Sequence, residues 1–172
     1  PQVIFDGNPL RLSPRQVEIL AVLALCPQGM SLDCLHQAIY GERKVSQGTL
    51  KAEMSQLRDT LTGLVGSRPY RLLMPVDGDF LRVEQALNAG YLEAAITSYV
   101  GMFFGKTESP FLCTWRHCLE ARLSQAIYHS DQIDLLLQHL SNYPDASDAV
   151  DRLIELIPNN ASIHQHLSDV VP

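Results

Sequence analysis

VSQGTLKAEMSQLRDTL, residues 45–61, is the stretch whose reading decides the fold. Leu50, Met54, Leu57 and Leu61 fall at i, i+4, i+7 and i+11, so a helix here turns one apolar stripe toward a core. Ser46 is placed to cap its N-terminus, the hydroxyl accepting from a backbone N–H that has no partner in the first turn. The other side carries Gly48, Lys51, Ala52, Ser55, Gln56 and Asp59. Most of these are small or hydrogen-bonding, unlike the Glu/Lys mixture of an ordinary solvated face. Such a face suits a DNA major groove, which admits a helix and presents donors and acceptors on base edges. It also suits a weakly charged surface helix, and the flanking residues bear on which.

Upstream, QVIFDGNPLRL (2–12) predicts a hairpin turning at Asp6-Gly7-Asn8-Pro9. Ser13, Pro14 and Gln16 form a capping-box pattern that opens a helix running to about Leu25. That helix is apolar nearly all round (Val17, Ile19, Leu20, Val22, Leu23, Leu25), as a central core helix must be. Pro27 and Gly29 end it. Ser31 caps a second helix, LDCLHQAIY, closed by Gly41, with His36 expected on its solvated side. Glu42-Arg43-Lys44 lead directly into the opening stretch, and two helices joined by a few residues including Gly form the helix-turn-helix pattern. Downstream, Gly63, Gly66 and Pro69 exclude further helix; a strand, a turn at Ser67-Arg68-Pro69 and a strand over Tyr70–Leu73 make a second hairpin. Arg68 and Arg71 sit at or near its tip, where a narrow minor groove attracts arginine.

The net charge of −6 is not that of a generic nucleic-acid binder, but it is unevenly spread. Residues 1–78 are net +1 and residues 79–172 net −7, while the 43–71 stretch alone is net +4. A basic zone centred on the proposed recognition helix is what phosphate contacts need. The acidic remainder is expected to face away from DNA.

Residues 79–172 predict helices alone, punctuated by Gly and Pro: from Asp79 as cap to Gly90 as stop, then 91–101, 110–129, 131–142, 146–157 and 160–170, with Trp115 buried. The expected fold is therefore mainly α: a helix-turn-helix with small β-hairpins over 1–78, followed by an all-helical region of helical hairpins over 79–172.

No P-loop, HExxH, GxSxG or dinucleotide fingerprint occurs, so no catalytic residue and no cofactor are expected, and the chain is read as a non-enzyme. Cys113 and His117 are spaced to share a helix face, but structural zinc wants four ligands and no second pair accompanies them. No metal is expected. With no run of 18 apolar residues and no signal sequence, no membrane partner is expected, and a cytoplasmic chain with reduced cysteines is.

On GNPLRLSPRQVEIL (7–20), SLDCLHQAIYG (31–41), TLKAEMSQLRDTL (49–61) and SRPYRL (67–72), the first half resembles the winged-helix effector domain of OmpR/PhoB-type response regulators and of SARP-type regulators. The family commonly carries more Arg or Lys on the recognition face, where Ser55 and Gln56 stand here. The second half resembles tetratricopeptide-like hairpins, through Ala86-Leu87…Gly90…Ala94-Ala95…Tyr99 and a junction-like Leu153–Ala161, without a clean 34-residue period. The order of the two resembles SARP regulators, whose helical part is called the bacterial transcriptional activation domain. The resemblance implies a bacterial transcriptional regulator, here its C-terminal effector part, binding double-stranded DNA. Lys51, Ser55, Gln56 and Arg58 are then expected at the major groove, with Arg43, Lys44, Arg68 and Arg71 on phosphates or the minor groove. A homodimer, RNA polymerase or other transcription proteins are the partners it implies. The alternative is a protein–protein adaptor whose winged helix no longer binds DNA, favoured by the thin basic face and the net charge.

Overall fold

A computed structural model describes residues 3–156. In chain order the elements are β1 (Val3–Phe5), β2 (Asn8–Leu10), α1 (Pro14–Leu25), α2 (Leu32–Tyr40), α3 (Gln47–Thr60), β3 (Val65–Ser67), β4 (Tyr70–Leu72), α4 (Asp79–Ala89), α5 (Leu92–Ser98), α6 (Pro110–Tyr128), α7 (Ile133–Asn142) and α8 (Ser147–Leu156). The protein is mainly helical with two small antiparallel hairpins, β1–β2 and β3–β4. It divides into two compact units. The first is Pro1–Asp77 together with Phe103–His117; the second is Gly78–Met102 with Cys118–Pro172.

In the first unit the helix starts follow their local chemistry. The Ser13 hydroxyl accepts from the Gln16 N–H while the Gln16 side chain accepts from the Ser13 N–H, a complete capping box. Ser31 and Ser46 cap α2 and α3 through the N–H groups of Cys34 and Thr49. α1 packs against α2, α3 and β4, and α2 against α3. Ile19, Val22 and Leu23 of α1 are buried, as are Leu35 and Ile39 of α2. Leu50, Met54, Leu57 and Leu61 are all essentially inaccessible, so the apolar stripe of α3 faces the core as its spacing requires.

Three contacts fix the second hairpin. Met30, just before α2, forms an antiparallel bridge with Tyr70, its N–H donating to the Tyr70 carbonyl at 2.9 Å and its carbonyl accepting from the Tyr70 N–H at 2.8 Å. Gly29 makes that approach possible: φ is +87°, and a Cβ there would lie 2.7 Å from the Pro69 ring. Arg58 of α3 donates from Nε to the Val65 carbonyl at 3.1 Å, and Leu73 N–H to Leu64 O closes the base of the hairpin.

Residues 103–117 complete this unit. The buried Ser109 hydroxyl donates to the Ala38 carbonyl at 2.7 Å and accepts from the Leu112 N–H, so it caps α6 and ties that helix start to α2. Trp115, expected to be buried, is only partly covered; its ring lies against Phe103 and Phe104 at about 6 Å between centroids.

In the second unit α4 packs on α5, α5 on α7, and α7 on α8. Among its described residues every regular element is a helix. The first residue of α4 is Asp79, and the capping position expected for it is held by Gly78. The Asp79 carboxylate accepts from the adjacent Phe80 N–H at 2.8 Å and stays in the first turn, where the helix dipole favours negative charge. Gly90, in the left-handed conformation, stops α4 as expected. α5 ends at Ser98, short of the expected Gly101, because Tyr99 leaves helical geometry and Gly101 takes φ +144°. Leu119, Leu123 and Ile127 of α6 recur every four residues and are buried, as are Leu135, Leu136 and Leu140 of α7 and Leu153 of α8. Tyr99 and Tyr143 stack at 5.2 Å; the Tyr143 hydroxyl donates to the Tyr99 carbonyl, and the Tyr99 hydroxyl to Glu120. The helix expected over 160–170, and the end of the junction expected over 153–161, lie outside the described residues.

Candidate nucleic-acid interface

The face of α3 opposite its buried stripe carries Lys51, Ala52, Ser55, Gln56 and Asp59, all exposed. On the β3–β4 hairpin Arg68 and Arg71 are exposed, and Lys44 is exposed just ahead of α3. Arg58 bonds helix to hairpin, so Lys51 on α3 and the two hairpin arginines stand on directly connected elements. The polar side of α3 is also held at its start. The His36 Nε2 lies 2.8 Å from the Val45 carbonyl, and the Gln47 side chain donates to the Asp33 carboxylate. His36 was expected in solvent; it is half-buried with its ring against Tyr40 at 5.0 Å, because the connection from α2 folds back over it.

Of the eight residues expected at DNA, Lys44, Lys51, Ser55, Arg68 and Arg71 present their side chains outward. Gln56 is exposed, but its amide oxygen accepts from Gln16 Nε2 at 3.0 Å. Arg43 and Arg58 are used within the unit. Arg43 donates from Nε to the Tyr40 carbonyl at 3.1 Å and from Nη2 to the Ile39 and Glu108 carbonyls at 3.1 and 2.8 Å, while Nη1 meets the Glu108 carboxylate. Most of its N–H donors are thereby occupied, which leaves little of the guanidinium fork for a phosphate. Arg58 is half-buried, its Nε committed to Val65.

Around Arg43 lies a polar network that local patterns do not reveal. Glu18, nearly buried on α1, accepts from Arg15 at 2.6 Å, from the Thr107 hydroxyl at 2.5 Å and from the Glu108 N–H at 3.2 Å. The Arg15 guanidinium also lies over the Tyr40 ring at 4.8 Å. Burial raises the Tyr40 pKa above its ordinary value, opposed by Arg15 and reinforced by Glu53. Donor and acceptor here are separated by up to 90 residues, so only the folded chain brings them together.

Among the described residues no group of three His, Cys, Asp or Glu is arranged to hold a metal. The Cys113 thiol lies 3.6 Å from the Thr107 carbonyl, and His117 is exposed. Among them, too, no helix is long and apolar enough to cross a membrane. Among the described residues of the second unit, His139 is buried, its Nδ1 has no partner, and burial lowers its pKa below the usual 6.5.

No family model matches the chain. Over 151 residues, 87% of its length, it is 29% identical to an uncharacterized 47.3 kDa protein in the thcA 5′ region of Rhodococcus erythropolis. It spans 34% of that protein, about a third of its length.

Proposed function

We propose that the first unit is a winged helix-turn-helix that binds double-stranded DNA, with α3 in the major groove and the β3–β4 hairpin as the wing. The chain then acts in the cytoplasm as a sequence-specific transcriptional regulator. The observation that carries this reading is the two-sidedness of α3. Its apolar stripe is sealed against α1 and α2, yet its outer face keeps Lys51, Ser55 and Gln56 in solvent, with Arg68 and Arg71 exposed on a hairpin bonded to the same helix. The acidic helical unit, which repels DNA, serves contacts with a second copy, RNA polymerase or other transcription proteins.

A second reading is supported by a different observation. Arg43 is engaged inside the unit and Arg58 is tied to it through Nε, which thins the basic face and favours an adaptor that binds protein instead. Titrating labelled duplexes from the protein's own promoter region, at low and rising salt, separates the two. Binding whose affinity falls steeply with salt supports the regulator. Absence of binding at low salt and high protein concentration leaves the adaptor.

A further inference from the structure

Gln56 is an exposed residue of α3 whose presented atom is dictated from α1. The Ser13 main-chain N–H can only donate, so the Gln16 atom 3.0 Å away is the amide oxygen. The other end of that amide, Nε2, is then a donor, so the Gln56 atom facing it at 3.0 Å is Oε1. The relay leaves Gln56 with its oxygen turned to α1 and its NH2 group on the exposed side of α3. Gln16 is buried on α1, and its amide is satisfied at both ends, so flipping it would set two donors against each other at Ser13 and two acceptors at Gln56.

We propose that Gln16 and Gln56 form a specificity relay: Gln56 reads the major groove as a donor only, and selects guanine at the base it faces. The proposal rests on the DNA-binding reading above. Guanine presents two adjacent acceptors, O6 and N7, in the major groove. Cytosine presents an N4 donor there, which clashes with an NH2 group. Adenine recognition by glutamine uses oxygen and nitrogen side by side, toward N6 and N7. Here the oxygen is turned to Gln16 on α1 while the NH2 group faces outward, so the two are not presented side by side to one base. Lys51, five residues earlier, is likewise a donor, whereas the Ser55 hydroxyl offers both roles.

The relay can be reversed without disturbing the fold. Gln16→Glu keeps the capping box, because a carboxylate accepts from the Ser13 N–H as well as an amide does. Its second oxygen cannot donate to Gln56; it attracts the Gln56 NH2 instead, and the amide turns its oxygen outward. The test selects duplexes from a pool with a randomised central segment, using the full chain as wild type, Gln16→Glu and Gln56→Ala. The wild type is expected to select guanine at one position by about fivefold or more, the lower end for a good base contact. Gln16→Glu changes that position to a donor base, cytosine or adenine, and Gln56→Ala flattens it alone. Identical preferences for wild type and Gln16→Glu, adenine selected by the wild type, or an unchanged profile for Gln56→Ala each overturn the relay while leaving DNA binding intact. A wild type that retains no duplex at all defeats the DNA-binding reading itself, and the relay with it.

Discussion

Arg43 and Glu108, 65 residues apart, are joined both through their side chains and through the Glu108 main-chain carbonyl. The Glu108 carboxylate is 72% exposed, and exposed ion pairs contribute little, about 0–1 kcal/mol. The bonds from Arg43 to the carbonyls of Ile39, Tyr40 and Glu108 are the less replaceable part. Arg43→Ala is therefore expected to destabilise the protein by about 1–2 kcal/mol, and Glu108→Gln by less than about 0.5 kcal/mol. Urea unfolding of both variants checks this. Equal losses would mean that the ion pair, not the carbonyl bonds, holds the segment.

Ser109 tests whether residues 103–117 belong to the first unit in energetic as well as geometric terms. Its buried hydroxyl satisfies the Ala38 carbonyl and an N–H of the first turn of α6 at once. Ser109→Ala removes a cap and strands a buried acceptor, an expected loss of about 1–3 kcal/mol. Hydrogen exchange should show faster opening in α2 around Ala38 as well as in α6. A change confined to α6 would show that the two are not coupled.

The contrast between these residues and the helix caps explains how much was legible in the sequence. Ser13 with Gln16, Ser31, Ser46, Gly41 and Gly90 act within about four residues of themselves, so their types and spacing announce their roles. The α3 stripe was equally legible, because a helix repeats its buried positions every three or four residues. Glu18, Thr107 and Glu108 gave no such signal. The buried Glu18 carboxylate has one local partner, Arg15 three residues before it, but its hydroxyl and amide donors arrive about 90 residues later. For the same reason Arg43 and Arg58 read as open basic residues. Composition shows their charge, but only the fold shows which acceptors use it. Trp115 misled because apolar spacing along a helix marks a covered side without fixing how deeply each residue is covered.

His139 makes stability depend on pH in a defined direction. Burial lowers its pKa in the folded state, whereas the unfolded chain titrates near 6.5. Between those two values the unfolded state binds more protons, so acidification favours unfolding. The stability tied to neutral His139 is complete above pH 6.5, declines as the pH falls below it, and is lost once the pH passes through the folded-state value. Thermal unfolding followed on both sides of pH 6.5 should show this decline, and His139→Phe, which keeps a ring beside Tyr143, should remove much of it. An unchanged pH profile in that variant would assign the decline to other groups.

On the proposed DNA-binding reading, salt dependence distinguishes basic residues that face solvent from those engaged within the fold. Each phosphate contact releases counterions and contributes about −0.9 to the slope of log affinity against log salt. Lys44, Lys51, Arg68 and Arg71 are exposed, so up to about four contacts per copy are expected, a slope near −3 to −4. Arg71→Ala should weaken binding to all duplexes alike and flatten the slope by about 0.9. Arg43→Ala should leave the slope unchanged, since its guanidinium already faces carbonyls and the Glu108 carboxylate. Glu108→Gln adds the complementary measurement: it removes a negative charge beside Arg43 and keeps the Glu108 carbonyl as an acceptor. If Arg43→Ala flattens the slope as much as Arg71→Ala does, Arg43 leaves Glu108 for a phosphate when DNA binds. The contact between them would then be one that DNA competes for, and Glu108→Gln would bind more tightly than the wild type.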